Sequence, residues 1–398
     1  MFYYRFEDGK IPIVFFKNNT NFVDMQILFK TGSANEDLDS YGIAHFLEHM
    51  HFQGTNKRTK KQLAVEMGTY GQFNAETYYF HTSYYFNCVK DNFLKCFDLL
   101  TDAVFGSTFP EEELEKEKQV VTEEFDMYQN DQDEVFAEFI FNDLFSSEMH
   151  SIIGSHESIK SFNREKLLRY RCKFYNNKNC YIIVAGDLNF EDVIKLVDDN
   201  IDPLPKSYFT NASFIRKEQK NNYFINDDFD QSSIAIITPW ILPKNDKNKT
   251  LFYFSKCLNQ VFYDILRDDM GLCYGIAQSN IGDHISNNAF FTMLTNASKL
   301  NQASYGFSSV FEKIKKEGFK KEVLNLAENQ YLHSRATVLD NSSSASSSIL
   351  NRIVSSTTNE DIKSLNLDIH PVDNDKLIDF ANEYLNDFIE YRMVRTNE

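Results

Sequence analysis

The sequence predicts an α+β protein built from two similar lobes, each a mainly antiparallel sheet with helices packed on one face. The 398 residues are too many for one ordinary core and fit two domains of about 200 residues. Runs with apolar residues at every second position, typical of strands, alternate with runs that have helical spacing. The order of these elements repeats along the chain, which indicates that the lobes arose by duplication.

The first lobe is expected over residues 1–205. The turn Asp8-Gly9 lies between two apolar runs and predicts an opening hairpin. Apolar alternation predicts a strand over Phe22–Thr31. Pro110 is expected to start a long helix, because proline is tolerated at a first helical position. The remaining predictions are strands at 72–79, 82–89 and 181–185 and helices at 42–51, 92–105 and from residue 164.

A polar passage at 206–222 is expected to be the linker to a second lobe at 223–398. In that lobe, the serine run at 341–348 could be a flexible loop, but Ile349, Leu350 and Ile353 follow at helical spacing and favour a helix start. The other predictions for this lobe are strands at 232–238 and after residue 271, helices at 250–267 and up to residue 334, and a last helix and strand that end near residue 395.

Composition excludes several classes of function. The formal net charge of −17 would repel phosphate backbones, so nucleic acid is not expected as a partner. No apolar run approaches the roughly 20 residues of a membrane-spanning helix, and the first residues lack a signal-peptide pattern. The six cysteines form no CxxC pair, so buried thiols in a reducing compartment are expected. The chain is therefore expected to be cytoplasmic, without a membrane partner.

The segment around His45 carries a candidate metal site. His45 and His49 are four residues apart and would share one face of a helix, so both imidazoles could reach one metal ion. Glu48 would stay beside them, whereas His51 would point elsewhere. A pair of surface or capping histidines is the alternative, and a third ligand would distinguish the two.

The long helix after Pro110 offers that ligand. Its apolar stripe includes two carboxylates, Glu117 and Glu124, whereas Glu123 falls on another stripe. A carboxylate on an apolar face usually meets a cation or a strong donor, because its burial alone is costly. We therefore expect Glu124 to be the third ligand and Glu117, two turns earlier, to orient a ligand imidazole. The alternative for Glu117 is a solvated helix carboxylate.

Two histidines and one glutamate leave a fourth position open, as in catalytic rather than structural zinc sites. Zn²⁺ is accordingly the expected cofactor. It would polarise a peptide carbonyl and lower the pKa of water. Glu48 would take a proton from that water and pass it to the leaving amine.

These residues resemble the inverzincin peptidases, the family of pitrilysin, insulin-degrading enzyme and the mitochondrial processing peptidase, whose known HxxEH signature the segment His45–His49 matches. The similarity extends over 32–36, 42–50 and 52–55 and weakens after residue 341. By resemblance to short, two-domain, bacterial-type members, the chain would be half of a four-domain clamshell. It would then pair as a homodimer around a closed chamber.

The resemblance also implies substrate-binding residues. Asn74, Ala75 and Thr77 lie in a segment similar to the family's edge strand, on which a peptide would add as a further strand; an ordinary edge strand is the alternative. Arg267 and Tyr274 resemble the family's pair that holds substrate carbonyls and stabilises the oxyanion. A surface arginine and a core tyrosine are the alternative for that pair.

Two other parts of the sequence are not expected to bind metal. His81, beside the predicted edge strand, is expected to be packed or to lie at a rim. The helix expected near 252–262 of the second lobe contains no histidine pair, so zinc is expected in the first lobe alone.

The expected function is a zinc-dependent endopeptidase that hydrolyses short or unfolded peptides, since a closed chamber would exclude folded proteins. One alternative is a non-catalytic scaffold or regulatory subunit of a processing peptidase, against which the combination of metal ligands, Glu48 and the Arg267 and Tyr274 pair argues. Another alternative is a peptidase dedicated to the maturation of one precursor peptide.

Overall fold

A computed structural model describes residues 1–145, 150–205, 220–229, 233–241, 247–273, 275–282, 287–295, 299–356, 358–363, 372–385 and 388–396. Most of the predicted linker lies outside these residues. The chain forms two compact units, the first from Met1–Asn130, Ser147–Ser213 and Ala336–Leu365 and the second from Asp131–Ser146, Phe214–Arg335 and Asn366–Glu398. The units are interleaved along the chain, and the domain boundaries near 205 and 223 stay a prediction. In the described part of the chain, no helix is long and apolar enough to cross a membrane.

The first unit contains a six-stranded sheet in the order β1-β2-β6-β3-β5-β4. Its strands are β1 (Phe2–Arg5), β2 (Ile13–Lys17), β3 (Phe22–Phe29), β4 (Gln72–Thr77), β5 (Thr82–Val89) and β6 (Cys180–Gly186). β1 and β2 form the predicted hairpin, in which Gly9 has a φ of 78° that favours glycine. β2 and β6 run parallel, and the other neighbouring pairs are antiparallel. β4 lies at an edge of the sheet.

The helices of each unit pack around an apolar core, called the first core in the first unit and the second core in the second unit. In chain order they are α1 (Ile43–Met50), α2 (Lys60–Tyr70), α3 (Phe93–Gly106), α4 (Glu111–Gln129), α5 (Gln132–Leu144), α6 (His156–Ser161), α7 (Arg164–Phe174), α8 (Phe190–Asn200), α9 (Lys247–Phe262), α10 (Leu300–Glu317), α11 (Lys321–Asp340), α12 (Ser342–Val354), α13 (Asn359–Lys363) and α14 (Asn374–Tyr384). A π-helical turn, Tyr263–Asp269, continues α9.

Helices cover both faces of the first sheet, because its strands alternate buried side chains between the two sides. On β2, Ile13 and Phe15 belong to the core that α1, α3, α4, α7 and α8 complete. Val14 and Phe16 face the other way and belong to a second cluster with Ile349 and other residues of α12. The sequence predicted helices on one face of the sheet. The helix α12, from late in the chain, covers the other face as well.

The second unit contains a five-stranded sheet in the order β7-β11-β8-β10-β9. Its strands are β7 (Asn222–Ile225), β8 (Ser233–Ile241), β9 (Gly275–Gly282), β10 (Asn287–Thr295) and β11 (Ile389–Val394). β7 and β11 run parallel, and the other neighbours are antiparallel. The chain follows the same path through these five strands as through β2 to β6. In each set of five, the first strand pairs with the last, and the third strand of the set lies at the edge of the sheet. The predicted architecture of two like lobes is confirmed.

Most elements lie where the sequence predicted them, and the exceptions have a physical cause. The serine run begins a helix as expected, since the Asn341 side chain caps α12 by accepting a hydrogen bond from the N–H of Ser344. The sequence did not predict α2, α5, α6, α8 or α13. Of the residues in α2, Leu63 and Met67 are the buried ones, which gives too narrow an apolar stripe for recognition by periodicity.

Candidate metal centre

Helix α1 carries the histidine pair, and its N-terminus is fixed by close contacts. Gly42 has a φ of 89°, and a Cβ there would collide with the carbonyl oxygen of Ile153. The Glu36 carboxylate accepts hydrogen bonds from the N–H groups of Gly42 and Ala44, each at 2.7 Å. A carboxylate in this position satisfies N–H groups that the helix leaves free and interacts favourably with the helix dipole. The start of α1 is therefore held in one place.

The apolar face of α1 determines where its polar side chains point. Phe46, Leu47 and Met50 are fully buried in the first core, so the helix cannot rotate without exposing them. The neighbouring helix α4 places Leu114 and Val121 in the same core. Polar residues in phase with these positions are brought together between the two helices.

Three side chains converge there. The Glu124 Oε2 atom lies 3.4 Å from Nε2 of His49 and 3.8 Å from Nε2 of His45. One possible ligand atom of each residue lies within 4.8 Å of the others. On the far side of the His49 ring, Nδ1 lies 2.8 Å from Oε1 of Glu117, which is 5% exposed. His49 therefore has a carboxylate at each ring nitrogen.

This donor set fits zinc. Zinc takes imidazole nitrogen and carboxylate oxygen at about 2.0–2.2 Å in tetrahedral geometry, which separates neighbouring ligand atoms by roughly 3.4 Å. The distances from Glu124 to the two histidines are close to that spacing. Within the described ranges, no second group of histidine, cysteine or acidic residues converges in this way.

The charges at the site favour a cation. Burial alone would lower the pKa of His49, but hydrogen bonds to Glu117 and Glu124 outweigh it and raise this pKa to about 10. Burial, together with the neighbouring His49, lowers the pKa of His45 to about 4. The hydrogen bond to His49 lowers the pKa of Glu124. The cluster thus favours a bound cation, either a proton on His49 or a metal ion that replaces that proton.

Glu48 lies on α1 next to His49. Its Oε2 atom accepts a hydrogen bond of 2.6 Å from the hydroxyl of Thr77 on β4. Burial raises the pKa of Glu48 to about 7, against the effect of this hydrogen bond. A carboxyl group with such a pKa can accept a proton and return it at neutral pH. The edge strand and the candidate base are therefore linked by one side chain.

Comparisons with known proteins show which family this chain resembles. Residues 13–154 match the family model of insulinase, peptidase family M16, and residues 161–331 match that of the M16 inactive domain. A protein of Rickettsia bellii named an uncharacterized zinc protease is 31% identical over 287 residues, which cover 69% of each chain. The chain belongs to peptidase family M16.

Further M16 relatives show the breadth of the similarity. The beta subunit of the mitochondrial-processing peptidase of Neurospora crassa is 28% identical over 199 residues, 49% of this chain and 42% of that protein. The crystal structure of a protease from Helicobacter pylori has the same fold, with a TM-score of 0.88 at 20% identity over 99% of both chains. Proteins named as zinc proteases thus support a peptidase function and zinc at the level of the family.

Not all of the substrate-binding residues inferred from the family resemblance lie within the described residues. β4, with Asn74, Ala75 and Thr77, is an edge strand of the first sheet, as a peptide-binding strand requires. Arg267 lies in the π-helical turn, and its guanidinium carbon is 4.4 Å from the centroid of the Tyr263 ring. Tyr274 lies outside the described residues. The roles of all these residues in M16 chemistry stay predictions.

The two other histidines considered from the sequence lie apart from the metal cluster. His51 is fully buried, and its Nδ1 atom is 2.9 Å from the hydroxyl of Tyr84. His81 is 8% exposed and stacks on Tyr78 with ring centroids 4.9 Å apart. His81 is thus packed, as expected, and His51 points away from the three converging side chains, as expected from helix geometry.

Two contacts at the site were not foreseen from the sequence. The sequence does indicate a cap in one respect, because the acidic Glu36 precedes the glycine at which α1 starts. The contact was not predicted because Glu36 lies six residues before Gly42, outside the usual capping positions. Thr77 was expected to act through its main chain, whereas its hydroxyl binds Glu48. That contact joins a strand to a helix and has no local pattern in the sequence.

Proposed function

We propose that this M16 chain is a zinc-dependent endopeptidase that hydrolyses short or unfolded peptides. The observation that carries the proposal is the convergence of the His45 and His49 imidazoles on the Glu124 carboxylate, with Glu48 on the same helix. A zinc ion bound by these three residues would act as a Lewis acid, which would polarise the scissile carbonyl and lower the pKa of water.

The protein groups around that cation have separate tasks. Glu117 accepts a hydrogen bond from the Nδ1–H group of His49 and thereby leaves Nε2 free to bind metal. Glu48 takes a proton from the attacking water and returns it to the leaving amine. The Thr77 hydroxyl holds the Glu48 carboxylate in one orientation.

The substrate part of the proposal concerns extended peptides. β4 offers main-chain groups along an open sheet edge, so a peptide can add as a further antiparallel strand. Arg267 and Tyr274 are proposed to hold substrate carbonyls and to stabilise the oxyanion. Two copies are proposed to pair around a closed chamber, and the name of the Neurospora crassa relative, a subunit, supports assembly from more than one chain.

The test combines metal analysis with cleavage of peptides blocked at both ends. We expect about one zinc per chain and internal cleavage of quenched, N-acetylated and C-amidated peptides. Activity should disappear after dialysis against a chelator and return with zinc. Stable zinc binding without cleavage of any peptide in a diverse mixture would instead support the scaffold alternative.

The product profile separates general turnover from dedicated maturation. A general endopeptidase should cut many members of a random peptide library at several positions. A maturation enzyme should leave nearly all of them intact and cut one sequence class at one bond.

A further inference from the structure

The edge strand β4, on which a substrate peptide is proposed to add, has two different faces. Phe73 and Ala75 pack against the first core, and the hydroxyl of Thr77 binds Glu48 at 2.6 Å. Because side chains alternate along a strand, Glu76 lies on the other face.

The neighbours of Glu76 in the sheet agree with this orientation. Glu76 pairs with Ser83 of β5, whose hydroxyl donates to Gln26 of β3 at 3.1 Å. Gln26 in turn donates to Ser346 of α12 at 2.8 Å. Directly paired residues of a sheet point to the same side. Glu76 therefore lies at the open edge of the face on which α12 packs.

The Glu76 carboxylate is half-buried and has no tight partner. Its side chain is 34% exposed, and its one ion-pair contact among the described residues is Nε2 of His81 at 3.7 Å, which is too long for a hydrogen bond. Two acids of the same unit with similar exposure, Asp198 and Asp187, are each bound by a basic side chain at 2.7 Å. A half-buried carboxylate without such a partner favours a cation from outside.

Aromatic rings flank this carboxylate. Tyr78 is 51% exposed and stacks on His81. Tyr85 pairs with Asn74, two residues before Glu76 on the same face of β4. Burial, followed by the charge of Glu76, raises the pKa of both tyrosines, so both phenol groups lie within its field. A carboxylate beside aromatic rings suits a guanidinium, which can bind the oxygen atoms and stack on a ring.

A peptide added to β4 would bring one of its side chains to this place. In an antiparallel pair, the Cβ atoms of directly opposite residues are about 4.5–5.5 Å apart. The next residue of β4, Thr77, binds Glu48, so a peptide bond of the substrate residue opposite Glu76 lies beside the proposed base.

We infer that Glu76 selects peptides with a basic residue, arginine above lysine, directly beside the bond that is cut. The carboxylate binds the cation, and the exposed ring of Tyr78 packs on it. This inference rests on the proposed endopeptidase function and on the addition of the peptide to β4. Main-chain pairing alone accepts any sequence, so the choice of substrate falls to side chains of the edge strand.

Cleavage of matched peptides tests this inference. The probes are quenched peptides of one neutral sequence, blocked at both ends, with arginine, lysine, norleucine or glutamate at a single central position. We expect kcat/KM for the arginine peptide to exceed that for the norleucine peptide by at least about tenfold, because norleucine has a similar apolar stem without the charge. Mass spectrometry of the products should place the cut directly beside the arginine.

Variants assign the preference to Glu76. Glu76→Gln should reduce the ratio of kcat/KM between the arginine and norleucine peptides to less than about threefold. Glu76→Lys should reverse the preference, so that the glutamate peptide is cut faster than the arginine peptide. The matched control is Glu191→Gln, an exposed acid that follows Phe190, which packs on Tyr3 of the opposite edge strand β1. This control should keep the ratio of the parent.

The outcomes separate this inference from the proposed function. Equal cleavage of all four peptides by the parent, cuts away from the central residue, or the same ratio in Glu76→Gln as in the parent would overturn the role of Glu76 and leave the endopeptidase intact. No cleavage of any peptide, in this set or in a diverse blocked mixture, would overturn both. Thermal melting and zinc content show whether each variant has folded, and a reversed preference in Glu76→Lys supports the assignment even if Glu76→Gln is unstable.

Discussion

The two sheets follow the same path, yet the equivalent helix carries a polar site in one and an apolar face in the other. Between β3 and the edge strand β4, α1 directs His45 and His49 towards α4 and Glu48 towards β4. Between β8 and the edge strand β9, α9 packs its described face into the second core. The buried residues of that face are Tyr253, Phe254, Cys257, Leu258 and Phe262.

The difference teaches that topology provides the place for a site but not its chemistry. Glu117, with an exposed fraction of 5%, and Glu48, with 9%, need partners that offset the loss of hydration. The second core has aromatic and aliphatic groups at the corresponding helix, which need none. Substitutions in the first unit should therefore affect function most where they remove a contact with His45, His49 or Glu124, and less with distance from these residues.

Glu48→Gln should retain zinc and lose turnover by about 10²–10⁴-fold, because the amide keeps the shape of the side chain but cannot accept the proton. Metal analysis and single-turnover cleavage of a quenched peptide measure both properties. Activity close to that of the parent would remove Glu48 from the mechanism.

Glu124→Gln should weaken zinc binding strongly, while the exposed neighbour Glu123→Gln should leave it unchanged. The first change removes the carboxylate that lies 3.4 Å from His49, and the second lies on another face of α4. Competition with a chromogenic chelator gives both affinities. Equal losses in the two variants would contradict the assignment of the third ligand.

Glu117→Gln should lower zinc affinity or activity by about 10–100-fold, less than loss of a ligand, because it acts through the orientation of His49. The amide can still accept a hydrogen bond, so the variant tests the charge more than the geometry. Comparing chelator competition with kcat separates a loss of metal from misplacement of the bound metal. No change in either would make Glu117 an ordinary buried acid.

The sequence predicted the convergence of the three candidate ligands better than the contacts around them, because the candidate ligands recur at helical spacing. His45 and His49 share a helix face at a distance of four residues, and Glu124 shares the apolar stripe of α4 with Glu117, so local periodicity is sufficient. Glu36 and Thr77 reach the site from a loop and a strand, where periodicity gives no direction. Their contacts depend on how the elements pack.

The same limit explains α12. Its apolar residues predicted a helix, but nothing local showed that the serines preceding them would face a sheet from the first part of the chain. Ser346 donates to Asp24 and accepts from Gln26 at 2.8 Å, and both partners lie on β3. Hydroxyl groups are used there because the outer face of β3 contains polar side chains that need partners.

Ser346→Ala should reduce the free energy of unfolding by about 1.5–3 kcal/mol, since it removes a buried donor to a carboxylate. Ser347→Ala, on the exposed side of α12, should change it by less than about 0.5 kcal/mol. Urea titration of both variants measures the difference. Equal values would mean that the polar contacts of α12 do not stabilise the first unit.

The pH dependence of Asp24→Asn sharpens this result. Burial raises the pKa of Asp24 above its ordinary 3.8, in spite of hydrogen bonds from Ser346 and Ser343. An acid with a raised pKa binds its proton more tightly in the folded state, so its contribution to stability falls as pH rises through 3.8 towards the folded value. Asp24→Asn should therefore gain stability relative to the parent as pH rises from about 4 through the folded-state pKa of Asp24. A constant difference across this range would contradict the raised pKa.

Mixing two inactive variants tests whether Arg267 of one chain acts at the zinc site of a partner chain. If two chains pair with zinc from one and Arg267 from the other, Glu48→Gln and Arg267→Ala chains are each largely inactive, but some mixed dimers contain one complete site. Random reassortment makes half of the dimers mixed with one complete site of two, so about a quarter of the parent activity should return. Exchange is verified with chains of different mass. If the chains exchange and the activity stays at the sum of the separate variants, the second lobe acts within its own chain or not at all, and its apolar helix would be structural.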